Sequence, residues 1–194
     1  APATEEVADA DATGQASGGT DVILFDPTAI QIDPDREPIP VASCEPSQVV
    51  PTAGVYQCST SEGGHFDPCW VVDDGILLCE PSWNAPSFDE PTYILAAIAE
   101  PLPVVDPAST GADPVVFYVI LEEGNPPCAK RADLEMELDG QPVTYSCAAP
   151  GAWLVGDLET SQPTWIAQRV ITDSSGTTVT DGPTPVAVVQ AWAY

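Results

Sequence analysis

Positive charge is nearly missing from this chain. Four basic residues (Arg36, Lys130, Arg131, Arg169) stand against thirty acidic ones, giving a formal net charge of −26 over 194 residues. Any fold built from such a chain presents a negative surface, which makes nucleic acid and anionic lipid poor partners, and neither is expected. Imidazole is as scarce, since His65 is the single histidine. No apolar run reaches the roughly 18 residues that a membrane-crossing helix needs. The stretch Tyr93 to Ala99 (YILAAIA) is among the longest. The cysteines form no C-x-x-C pair, and structural zinc wants such close thiolates. A glycine-rich phosphate loop, a Gly-x-Ser-x-Gly elbow and strand-helix alternation are also missing, so nucleotide chemistry and an esterase-type nucleophile have no motif to rest on.

What is present points to an exported β protein. Six cysteines (Cys44, Cys58, Cys69, Cys79, Cys128, Cys147) are an even number without metal-type spacing, which reads as three disulfides formed in an oxidising compartment. Six cysteines allow fifteen connectivities. Pairing of sequence neighbours is favoured: Cys44 with Cys58, Cys69 with Cys79, Cys128 with Cys147. The chain starts Ala1-Pro2-Ala3 without an initiator Met, as a removed secretory signal would leave it. Secretion, to the extracellular space or cell surface, is the expected location.

Residues 1–43 read as an acidic, Pro-rich tail. Its first twenty positions are too small and polar to offset chain entropy, and a strand-forming segment follows at 21–32. Residues 44–194 read as one disulfide-stapled β domain, because about ten short apolar runs are separated by Gly, Pro and Asp-Gly. The expected fold class is all-β, an antiparallel β-sandwich or barrel with an extended N-terminal tail. Leu134 to Leu138 alternates with period two, Asp139-Gly140 suits a primed turn, and Val143, Tyr145 and Cys147 alternate back, so a hairpin is predicted there. A second hairpin is predicted between Cys69 and Cys79. Thr92 to Leu102 is read as strand although its Ala, Leu and Glu also suit a helix, since Pro91, Pro101 and Pro103 confine it.

Candidate sites are few. His65 with Asp67 is the nearest approach to a catalytic pair, but a loop histidine beside a disulfide explains it more simply. Thirty acids guarantee some carboxylate pair at a hydrolase-like separation, so that signal has no specificity. Trp70, Trp83, Trp153, Trp165 and Trp192 could stack on sugars, though core packing is the commoner use. Asp9-Ala10-Asp11-Ala12-Thr13-Gly14 matches half of a calcium loop but has Thr20 where the bidentate Glu belongs. Asp73-Asp74, or Asp33 with Asp35 and Glu37, could hold calcium less formally, and solvated turn acids are the plainer reading.

Tyr56-Gln57-Cys58, Asp67-Pro68-Cys69-Trp70, Cys79-Glu80-Pro81-Ser82-Trp83, Tyr145-Ser146-Cys147 and Pro163-Thr164-Trp165 carry a resemblance over roughly Gly54 to Tyr194. The chain resembles an uncharacterised group of secreted or lipoprotein domains of high-GC bacteria. The resemblance implies an exported disulfide β domain and carries over no activity and no site residues. With no catalytic motif, the expectation is a non-catalytic structural protein that self-assembles, filament-like, with copies of itself. Val22, Ile23, Leu24, Phe25, Ile30 and Ile32 are the expected subunit-interaction residues, adding a strand to a neighbouring sheet. The alternative is a monomeric secreted module binding a glycan or a divalent cation such as calcium, and a secreted hydrolase comes third.

Overall fold

The computed structural model describes residues 18–32, 35–80, 93–104, 114–122, 127–132 and 134–194. Among them the chain is all-β, with one 3-10 turn at Pro27–Ala29. The strands are β1 (Asp21–Leu24), β2 (Ile39–Val41), β3 (Ser43–Pro46), β4 (Val55–Ser59), β5 (His65–Asp73), β6 (Ile76–Cys79) and β7 (Ile94–Ile98). They continue with β8 (Val116–Leu121), β9 (Cys128–Lys130), β10 (Glu137–Leu138), β11 (Gln141–Cys147), β12 (Ala152–Glu159), β13 (Trp165–Thr172) and β14 (Val179–Ala193).

The long strand β14 closes a barrel. Its first part pairs antiparallel with β13, and its last part pairs antiparallel with β8. The ring β14-β13-β12-β11-β9-β8 is thereby complete with six strands, β10 hanging on β11 and β1 on β14. Closure removes the free edges that would otherwise invite pairing with other chains. The second sheet runs β2-β7-β6-β5-β4-β3. Its two edge strands, β2 and β3, are separated in sequence by Ala42 alone, so the sheet curls until its edges nearly meet. The expected antiparallel character needs one correction: β1–β14 and β2–β7 are parallel pairs. Both involve the segment before Cys44, whose strands join sheets otherwise built of antiparallel pairs. Period-two patterning shows which face is buried but not the direction of the partner strand.

Alternation divides the core into layers. In the curled sheet Tyr56, Cys58, Cys69, Leu77, Cys79 and Ala96 pack together on one side. Their neighbours Val55, Trp70, Leu78 and Leu95 point the other way and meet Phe117, Tyr118 and Trp192 of the barrel. The barrel holds its own interior of Val119, Leu121, Leu154, Ala167, Val188 and Ala191. Apolar burial is thus spread over both sheets, the seam between them and a smaller cluster of Leu138, Val143, Val155 and Val170.

The disulfides are Cys44–Cys58, Cys69–Cys79 and Cys128–Cys147. Each joins residues directly opposite one another on antiparallel strands. Such staples pin strand register, because a slip of one residue would carry the two sulfurs to opposite faces. The hairpin predicted at 134–147 is present, with Asp139 and Gly140 both at positive φ (51° and 73°) as a primed turn requires. Its first arm is shorter than the alternation suggested. Only Glu137–Leu138 is strand, while Leu134 and Met136 fold down on Leu138, Val143, Val155 and Val170. The segment Ile94–Ile98 is strand, as read.

Candidate functional site

The residues expected to meet another subunit occupy a seat on the chain's own barrel. Residue 21 lies beside Gln190, Val22 beside Ala191, Ile23 beside Trp192 and Leu24 beside Ala193. The ladder continues at both ends. The Phe25 N–H donates to Ala193 O at 2.8 Å, and the Thr20 N–H donates to Pro163 O at 2.8 Å. Thr20 also bridges two strands, its hydroxyl donating to Val188 O at 2.6 Å and accepting from the Trp165 N–H at 2.7 Å. Segment 18–25 therefore takes up the row of β13 where that strand stops, alongside the last residues of β14.

Side-chain burial along the segment is uneven. Leu24 is 69% exposed and Val22 42% exposed, whereas Phe25 is 9% exposed. Phe25 enters the seam between the sheets, its ring centroid 4.4 Å from Trp70, 4.9 Å from Tyr93 and 5.6 Å from Phe117. Ring pairs of this kind contribute about 0.5–1.5 kcal/mol each beyond area burial. Ile23 and Ile30 pack against the same cluster, while Ile32 is 40% exposed. Sequence reasoning grouped the six apolar residues as equals, but the fold makes Phe25 the anchor and leaves Leu24 outside.

The other candidates are dispersed. His65 is exposed at the start of β5, its Nδ1 3.4 Å from Ser59 Oγ. The Asp67 carboxylate is taken up elsewhere, accepting from the Ser47 hydroxyl and from the N–H groups of Gln48 (3.1 Å) and Val49 (3.2 Å). Asp67 therefore pins the 47–50 turn and does not orient the histidine. Burial still raises its pKa against those hydrogen bonds. Glu80, the residue after Cys79, is 6% exposed and was missed from sequence. Burial first, then the charge of Asp67, hold its pKa well above the carboxylate range, against the pull of Arg131. A sequence signal existed only in retrospect, as an acid following a strand of solid apolar character. Trp70 and Trp192 are core residues, Trp153 and Trp165 are half-buried, and no tryptophan platform forms among the described residues. Asp35, Glu37, Asp73 and Asp74 are exposed, and no cluster of three metal-ligating side chains occurs among the described residues. Asp9 to Gly14, Asp33 and Trp83 lie outside the described residues. Three disulfides, with no helix long and apolar enough to cross a membrane among the described residues, are consistent with an extracellular protein.

Comparison with protein-family models, with curated proteins and with solved structures finds no match for this chain.

Proposed function

We propose that this is a non-catalytic, secreted structural protein whose copies join by exchanging segment 18–25. The observation that carries the reading is the seat of β1. It is a four-residue strand with a single strand partner among the described residues, held by main-chain hydrogen bonds and an aromatic anchor at Phe25. Within one chain the segment fills its own seat. Donation to a neighbour repeats every one of those contacts and changes only which copy supplies the strand, which makes exchange a low-cost route to assembly. Thirteen residues, 26–38, separate Phe25 from β2 and can span about 45 Å at full extension. If successive donations do not close a ring, a filament results.

The test compares the full chain with a variant lacking residues 1–25 by light scattering and negative-stain imaging. The full chain is expected to form multimers that grow with concentration, and the truncated one to remain single until a peptide of residues 18–32 is added, which it binds. A full chain that stays single at every concentration, or truncated protein forming the same assemblies, contradicts the proposal.

A further inference from the structure

The outer face of β11 and β12 carries a cleft of about 790 Å³. Its floor is made where Ser146 and Trp153 lie opposite each other on the paired strands. One wall is the turn 148–151 with Ala148, and the other is the turn 173–176. Leu134 and Arg131 stand at the rim.

The walls are tied together before any ligand arrives. The Thr172 N–H donates to Gly151 O at 2.8 Å, and the Trp153 Nε1–H donates to Thr172 Oγ1 at 3.1 Å. Gly151 sits at φ +74°, and a Cβ there would lie 2.7 Å from Thr172 O, so the two turns touch only because residue 151 is glycine. Asp173 holds the second turn by accepting from the Ser175 hydroxyl (2.5 Å) and the Ser175 N–H (3.1 Å). A cleft with fixed walls binds without the ordering cost of a floppy one.

The lining is mainly apolar, and its size falls in the range of small-molecule sites. One polar group is left over. The Ser146 hydroxyl is out of contact with water, in a residue 4% exposed, and has no hydrogen-bond partner among the described residues. A buried hydroxyl without a partner is costly and points to one that arrives with a ligand. Charge narrows the choice. The surface at −26 repels anions, and the charge of Arg131 in the lining already acts on buried Glu80, so an acid gains little there. A glycan would leave its many hydroxyls against alanine, leucine and proline. We propose that this cleft binds one uncharged, mostly apolar small molecule, its body against Trp153 and Ala148, and that the shielded Ser146 hydroxyl turns about χ1 to pair with a carbonyl or hydroxyl of it. The proposal does not depend on strand exchange.

Nile red, neutral and bearing a carbonyl acceptor, serves as the probe on the full chain. Saturable binding of one dye per chain, with blue-shifted emission, is expected. Ala148→Trp fills the cleft and should abolish binding while leaving the thermal midpoint in place. Ser146→Ala keeps the cavity and should weaken binding about three- to tenfold, the worth of one hydrogen bond. Should Ala148→Trp fail to fold, Ser146→Ala together with Ala149→Phe decides the matter. Absence of saturable binding, binding unaffected by both fillings, or a panel of neutral oligosaccharides binding in place of the dye would overturn the proposal.

Discussion

Phe25 and Glu80 show how differently two side chains can bear on the same seam between the sheets. Phe25 supplies the buried contacts of segment 18–25, while Leu24 next to it faces water. Phe25→Ala is expected to cost about 3 kcal/mol. Leu24→Ala should stay within about 0.5 kcal/mol. Urea unfolding of both variants checks the contrast, and equal costs would mean the seat is not anchored as described. Glu80 works against the fold at neutral pH. Its pKa is raised by burial and by Asp67, with Arg131 opposing, and its charge in turn helps to push up the Tyr118 hydroxyl. A carboxyl with a raised folded-state pKa favours the native state below its unfolded value, about 4.3, and that contribution is lost as pH rises through the folded value. Glu80→Gln should therefore stabilise the protein at pH 8 by about 1 kcal/mol or more and match the parent near pH 4. Parallel stability curves for the two proteins would contradict the assignment.

At the scale of strands and hairpins, the disulfides carry a separable share of stability. They close loops of sequence separation 14, 10 and 19, and chain-entropy arguments give each about 3 kcal/mol. Replacing either Cys69 and Cys79 or Cys128 and Cys147 by Ala should lower the denaturant midpoint accordingly without changing the fold. Much at this scale was legible in the sequence. Asp139-Gly140 between alternating runs announced a primed hairpin, and Asp74-Gly75 between Cys69 and Cys79 announced a second hairpin of a different turn type, which also made the neighbour pairing of cysteines natural. Other features were not legible for physical reasons. Alternation in Pro185 to Tyr194 says that two faces differ, but not that one strand serves β13 with its first half and β8 with its second. Nor does it reveal that β1 and β2 run parallel to their partners. The cleft was not legible because Arg131, Ser146, Trp153 and the 173–176 turn are brought together by the pairing of β9, β11, β12 and β13, and Glu80 because its burial is tertiary.

For the whole molecule, charge sets the terms of assembly. Copies at −26 repel one another over about 30 Å in 0.01 M salt and only about 10 Å in 0.1 M. Sodium chloride should therefore raise both the unfolding midpoint and the size of assemblies, and assemblies that dissolve on adding salt would argue against association through apolar strand contacts. The exchange of segment 18–25 is tested most directly by trapping it. Asp21 and Gln190 are neighbours in the parallel ladder between β1 and β14, and residue 21 is exposed. Cysteines at both positions should, after oxidation, give a ladder of covalent multimers on a non-reducing gel that collapses to one band when either cysteine is omitted. A single monomeric band from the double variant, with its new disulfide shown by mass to lie within one chain, would contradict exchange and leave the segment as a clasp on its own barrel.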